Sequence, residues 1–468
     1  MAVSYDIKNK ALWLDIEDIL YPKINEGPRE NSWTHRLVIH TPTEDIDVYK
    51  YDTVDIDRDF VKNVSEFVMV RCYLTMGVYL QKIAQYREIL EASLYKIPVT
   101  ASDGRVRTDK QRVVKRYRAI FRTDLNKIDS ATDAGMLSPF TKDLTGLPRI
   151  FLELHSRQFE VLRIKTTSGT YKKKSYEDLL RAVITDECNK VKVDGKPAID
   201  AIDIYPPDNE RPNDLTIVPN LTPIVSFPTF LQEQMNGVYV HAIGNFFQHY
   251  RGKNTWFIYP LYKLDRFNED VYKAIFYSLP GPIYSGIDRT YIENGKILKI
   301  AVSSQKTYRD NAELDMVNGG IGLRMTEQSA MMKKPWEINE PRGPRGITHK
   351  LNNEFIVKDR RDGLNYAKRR MNDSVSNPFY EASRIAFYQT AQVDLEWQNG
   401  DIDLLYPCMP IKYVFIEEGV RREINGVLLS AYSITANQSE TVGASGHFMT
   451  SVMISIAVPP YRRKGIDK

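Results

Sequence analysis

The densest set of chemically capable side chains is a basic run, Arg105, Arg107, Lys110, Arg112, Lys115, Arg116, Arg118 and Arg122, with Tyr117 and Phe121 interleaved. Cations that neutralise phosphates, set beside rings that stack on bases, are what a nucleic-acid groove requires. The same run also suits a solvated face or a contact with an acidic neighbouring subunit. Charge elsewhere cancels it: 64 Lys and Arg stand against 60 Asp and Glu, a net charge of +4. A chain held to nucleic acid by phosphate contacts carries a larger excess. Nucleic acid is therefore not the expected partner, and Arg105, Arg107, Arg112, Lys115, Arg116 and Arg118 stand as a candidate basic contact stripe.

Other constellations lack the context their chemistry needs. Gly443, Ser445 and Gly446 approach a nucleophile elbow, but His447 occupies the place of the last glycine and no strand-turn-helix pattern surrounds them. A glycine-rich hairpin loop explains them. Gly319, Gly320 and Gly322 match neither dinucleotide nor P-loop spacing, so no phosphate cradle is expected. The seven histidines never pair at i, i+2 or i, i+4, and His241 and His249 lie eight apart, which gives no metal-ligand pattern. Glu417 and Glu418 precede Gly419 and read as a solvated hairpin end. No catalytic, cofactor-binding or metal residue is assigned, and the chain is not expected to be an enzyme.

The three cysteines, Cys72, Cys188 and Cys408, form no framework, which fits folding in a reducing compartment. The opening residues lack a secretory pattern and no apolar run reaches membrane-spanning length, so folding in a cytoplasm without a membrane partner is expected. The 28 tyrosines suit half-buried sheets and interfaces.

The elements that position these residues are mostly strands. Leu12, Leu14 and Ile16 alternate, as do His35, Leu37 and Ile39, and residues 64–74 read as a strand covered on both faces. Leu80, Ile83, Leu90 and Leu94 keep helical spacing up to Pro98, and residues 105–122 read as a strand. Ser175 and Asp178 open a helix whose apolar face is Tyr176, Leu179, Leu180, Val183 and Ile184. A second helical region is expected over 230–250, then a turn at 251–254 into a strand over 255–259. Lys172, Lys173 and Lys174 read as an exposed loop. Residues 303–375 have weak periodicity and, with the Pro-Arg-Gly repeats from Pro341 to Gly346, read as an extended arm.

The C-terminal hundred residues are β again. Asn399-Gly400 and Asn425-Gly426 are hairpin dipeptides. Tyr413 and Phe415 alternate on one strand, and Val452, Ile454, Ile456 and Val458 on the last one, making these six the candidate interface or barrel-packing residues. The expected fold is α+β and β-dominated, with two similar antiparallel β-barrels flanking a mixed α/β middle. The boundaries are 1–165 for a first barrel with a helical and basic insertion near 76–122, 166–300 for the middle domain, 301–375 for the arm, and 376–468 for the second barrel and tail.

The order of C-terminal motifs resembles a known layout. Residues from Leu404 to Pro407, the strand from Ile411 to Phe415, Glu418-Gly419, the segment from Asn425 to Leu429, then Ala431 to Ser433 and the closing strand from Phe448 to Ile456 resemble the last barrel of bacteriophage baseplate central hub proteins. These are related to the hub portion of type VI secretion spikes. The helix from Tyr176 to Ile184 is similar to the one such hubs place between two barrels. The resemblance implies a homotrimer whose six barrels adapt a hexameric tail tube to a trimeric central spike. It also implies a tail-tube or tube-initiating protein, the spike and baseplate wedge proteins as partners, no cofactor, and a place in the virion tail baseplate after assembly in host cytoplasm. A hexameric tube-initiating protein is the nearest alternative; a nucleic-acid-binding protein using the 105–122 stripe is the alternative from another class.

Overall fold

The computed structural model describes residues 16–17, 19, 30–48, 50–74, 76–100, 113–122, 149–210, 213–235, 237–279, 290–303, 307–311, 324–327, 338–339, 355–358, 367–368, 390–417, 420–437 and 448–460. Seven strands come first: β1 (Glu30–His40), β2 (Asp45–Asp47), β3 (Lys50–Asp59), β4 (Phe67–Tyr73), β5 (Glu91–Thr100), β6 (Val113–Phe121) and β7 (Arg149–Ser156). They lie in the order β2-β1-β5-β6-β7-β4-β3, all antiparallel. The helix expected to run to Pro98 is shorter. Helical turns cover residues 76–86, and Leu90, Ala92 and Leu94 then alternate inward on β5, where Pro98 faces Trp33 of β1. Pairing with β1 and β6 overrides the local spacing. Of the strand expected around Leu12, only Ile16 is described, and it is helical; Ile16 and Ile19 are buried against Tyr277, Leu279 and Val414.

The middle holds β8 (Thr166–Lys174), β9 (Lys192–Val193), β10 (Lys196–Pro197), β11 (Ala201–Ile204), β12 (Asn213–Pro223), β13 (Ile243–Tyr250) and β14 (Lys253–Pro260). The helix Tyr176–Lys190 starts as its sequence predicts: the Ser175 hydroxyl accepts from the Asp178 amide, and Tyr176, Leu179, Leu180, Val183 and Ile184 are all buried. Helix Phe227–Glu233 is real, but residues 243–250 are strand, not helix. Gly244 permits that pairing, since a Cβ there would fall on the Tyr259 ring. Tyr250 faces Lys253 across a two-residue turn in which Arg251 and Gly252 take left-handed φ of 48° and 79°. Lys172, Lys173 and Lys174 end strand β8, exposed, in place of the expected loop.

Next come β15 (Lys273–Leu279), β16 (Tyr291–Asn294), β17 (Ile297–Ser303), β18 (Thr307–Asp310), and a small sheet of β19 (Arg324–Glu327), β20 (Ile338–Asn339), β21 (Phe355–Lys358) and β22 (Ala367–Lys368). Much of the expected arm lies outside the described residues. Its beginning is sheet, because β18 pairs with β23.

The chain closes with β23 (Ala391–Gln398), β24 (Pro410–Glu417), β25 (Val420–Asn437) and β26 (Phe448–Val458). Neither Asn-Gly dipeptide makes the expected hairpin. Asn399, at φ 51°, ends β23, which pairs with β26 and not with β24. Asn425 and Gly426 lie inside β25, opposite Lys412 and Ile411. The glycine is required there because a Cβ would sit on the Ala457 carbonyl oxygen. The β24–β25 pairing runs instead to Glu417 opposite Val420.

β25 decides the architecture. It is 18 residues long, so its first part pairs with β24, its second part with β3, and its other edge with β26. Strands from both ends of the chain therefore share one fifteen-stranded sheet. Among the described residues the strand path is open, and the pairings do not separate the two barrels expected from the sequence.

Candidate functional site

Where β3 meets the C-terminal strands, the inward row of β3 reads Val54, Ile56, Arg58, Phe60, and all four are buried. A cation thus occupies an apolar row, and burying it without partners is costly. Two anions receive it. Arg58 Nε and Nη2 donate to Glu66 Oε2 at 3.1 and 2.9 Å, Nη2 donates to Asp403 Oδ1 at 2.7 Å, and Nη1 donates to the Ile402 carbonyl at 2.6 Å. Glu66 sits just before β4, in phase with inward Val68 and Val70. Asp401 and Asp403 come from the segment after β23.

Two lysines complete the cluster. Lys115 of β6 donates to Asp403 Oδ1 at 3.1 Å and lies 3.6 Å from Glu66 Oε1. Lys96 of β5 pairs with Asp401, lies 3.4 Å from Asp403 Oδ2, and stands 4.6 Å over the Trp33 ring. The Tyr117 hydroxyl donates to Glu66 Oε1 at 3.1 Å. Three cations, Arg58, Lys96 and Lys115, thus balance three carboxylates, Glu66, Asp401 and Asp403.

Burial alone would raise the carboxyls. Lys115 and Arg58 outweigh it at Glu66 and hold that group below its usual value, while Lys115, Lys96 and Arg58 hold Asp403 well below. Burial opposes the charge on Lys96, yet Asp401 and Asp403 raise it. Burial, helped by Lys96, pushes neighbouring His35 down to about 3, and its Nδ1 has no hydrogen-bond partner. Glu66, Asp403, Lys96 and His35 are thus all shifted away from neutrality. The cavity beside the cluster, lined by Trp33, His35, Lys96, Tyr117 and Asp403, measures about 30 Å³, the scale of a water or two. A cleft of about 190 Å³ lies on the other side of Lys115, and its Arg116 and Arg157 are tied to Glu91 at 2.7 and 2.9 Å. The arrangement clamps strands together.

The cluster also shows where the basic stripe goes. Lys115 turns inward, half-exposed Arg116 is paired to Glu91, and Arg118 faces Glu91 across β5 and β6. Arg105, Arg107 and Arg112 lie outside the described residues. The apolar candidates are core. Tyr413 and Phe415 stack at 5.0 Å on β24, and Val452, Ile454, Ile456 and Val458 fill one buried row of β26. Among the described residues, Lys115, Arg116 and Arg118 and these six do not form one surface, because the six are buried. Among the described residues no group of His, Cys, Asp or Glu could hold a metal, and no helix is long and apolar enough to cross a membrane. Residues 443–447 lie outside the described residues. Sequence reasoning missed Arg58, Glu66, Lys96, Asp401 and Asp403. The signal that was present is phase: Arg58 falls in step with Val54, Ile56 and Phe60, and Glu66 with Val68 and Val70.

No family model matches the chain, and no curated protein matches it in sequence. Among solved structures it is similar to a tail protein from Neisseria meningitidis MC58, with a TM-score of 0.45 over 90% of this chain and 96% of that one, at 8% identity. It is also similar to the 43 kDa tail protein of prophage MuSo2 from Shewanella oneidensis, with a TM-score of 0.42 over 91% and 99% of the two chains, at 8% identity. A half-lidded PdpA–VgrG complex from Francisella gives 0.44 over 98% of this chain and 63% of that chain, at 8% identity. Two of these are tail proteins and the third is a PdpA–VgrG complex.

Proposed function

We propose that this chain is a structural hub of a contractile phage tail baseplate, a homotrimer that adapts a hexameric tail tube to a trimeric central spike. One observation carries the reading: β3 and β25, from opposite ends of the chain, pair directly and are pinned by a charge-balanced buried cluster. An adaptor under mechanical load needs its two halves joined as one body, and a neutralised cluster supplies rigidity without reactivity. The tube or tube-initiating protein, the spike and wedge proteins are the partners that this role implies, and the virion baseplate is its place. The two-barrel reading belongs to the same proposal, the merged sheet being the junction between the barrels. The nucleic-acid reading loses support, since Lys115 is spent on Glu66 and Asp403 and Arg116 on Glu91.

The test is the mass of the full chain by light scattering, with electron-microscope class averages. Three copies of 54.0 kDa give about 162 kDa and three-fold averages. Six-fold rings would move the assignment to a tube-initiating protein.

A further inference from the structure

Two exposed surfaces of this chain differ in charge. The first is the β8–β12 ribbon. Its inner residues Thr216 and Val218 are buried, while Ile217 is 56% exposed and Leu215 46%. The strand beside them is cationic: Leu215 faces Lys172 and Asn213 faces Lys174. Among the described residues Lys172, Lys173 and Lys174 meet no carboxylate. At the far end the pairing slips between Val218 and Thr222, and Leu221 stands there 77% exposed at φ 64°. A large apolar residue held in the left-handed region and turned to solvent is disfavoured twice over, as expected of an anchor that waits for a partner.

The second surface is the outer face of β23, β26, β25 and β3. One row across it reads Glu396, Met453, Tyr432, Asp57, and the next reads Gln398, Ser451, Ile434, Asp55. Met453 is 43% exposed and Met449 39%. The face therefore has an apolar centre bordered by carboxylates, with Asp59 continuing the β3 side; Asp55 is paired to Arg71 at 3.5 Å, and Lys62, 3.6 Å from Asp59, also lies near Asp57, which leaves the carboxylates in excess. Burial and neighbouring Asp59 raise Asp57 against the opposing pull of Lys62, so a further cation delivered there is favoured.

We propose that the β8–β12 ribbon of one copy docks on the β3–β25–β26 face of the next copy, with Leu221 and Ile217 on Met453 and Tyr432 and Lys172 and Lys174 on Asp57 and Glu396. Apolar stripe meets apolar stripe, and charges of opposite sign meet at the rim. The contact joins two different surfaces, so it is heterologous and closes only as a ring. It rests on the hub reading, whose ring it supplies with an interface.

The experiment compares the full chain with Lys172→Glu/Lys174→Glu, with Asp57→Lys/Glu396→Lys, and with all four changes combined. Masses are read by light scattering across a dilution series, and thermal midpoints serve as folding controls. Each one-sided reversal should weaken self-association at least tenfold, and the combination should restore it. A second readout is Leu221→Cys with Met453→Cys under mild oxidation, which should link copies covalently; the native cysteines are all buried. A wild-type trimer that one-sided reversals leave intact, or a cysteine pair that never cross-links, overturns the docking while the hub reading stands. A ribbon reversal that spares the trimer but abolishes capture of a tube or spike protein likewise overturns it. A wild-type chain that stays monomeric at every concentration overturns both.

Discussion

Replacing Arg58 with Met tests whether the buried cluster clamps the two ends of the chain. Arg58 is fully buried, and without it three carboxylates face two lysines. Removing one member of a buried ion pair costs about 3–5 kcal/mol. The protein can limit that by protonating Glu66. From an ordinary carboxyl value of 4.5, this escape costs about 3.4 kcal/mol at pH 7. Losing the hydrogen bond to the Ile402 carbonyl adds about 1 kcal/mol. The expected loss is about 4 kcal/mol, a large part of the roughly 5–15 kcal/mol that holds a domain folded. Urea unfolding followed by tryptophan fluorescence is the assay, since Trp33 lies against Lys96. Pairing Arg58→Met with Glu66→Gln should recover about 2 kcal/mol, because the orphaned charge is gone. The Arg58→Met deficit should also shrink toward pH 5, where protonating Glu66 is easier. A single variant within 1 kcal/mol of wild type, or two changes that simply add, would refute the clamp.

His35 gives an acid-side test. Its folded value of about 3 lies below the unfolded 6.5, so between those values the unfolded chain binds the extra proton and stability is lost as pH falls. Going from pH 7 to 5 should cost on the order of 2 kcal/mol. Lys96, Lys115, Asp403 and Tyr51 surround the ring, but the depressed carboxylates Glu66 and Asp403 give up their contribution only below about 4.5 and 3.8, so the window from 6.5 to 5 isolates the histidine. His35→Gln should flatten the stability profile there, and an unchanged slope would reject the assignment. Gly426→Ala should cost at least about 2 kcal/mol in the same urea assay, because the methyl collides with the Ala457 carbonyl oxygen and β25 must pull away from β26. Gly77→Ala, which meets nothing within 4 Å, should be neutral or slightly stabilising; equal losses at both positions would mean that β25 lies differently.

Local features of this protein were legible wherever a short segment determines its own conformation. Alternation marks β1, β23 and β26 because strand period is a property of the segment, and Ser175 with Asp178 marks a helix start because the cap closes within one turn. Spacing failed where distant partners outbid it: Leu94 has helical phase yet lies on β5, and residues 243–250 become strand because β14 is there to pair. The two Asn-Gly dipeptides carry a turn signal in isolation, but Gly426 is needed for a close backbone approach that only the folded sheet creates. The same division governs the site. The sequence alone places Arg58 in phase with Val54, Ile56 and Phe60, hence a charge in the interior. Which charges meet was decided by tertiary structure. Arg58 and Asp403 are 345 positions apart, and only the pairing of β3 with β25 brings them to 2.7 Å. Electrostatic pairing acts over a few ångströms in space, and position along the chain does not encode that distance until the sheet has formed.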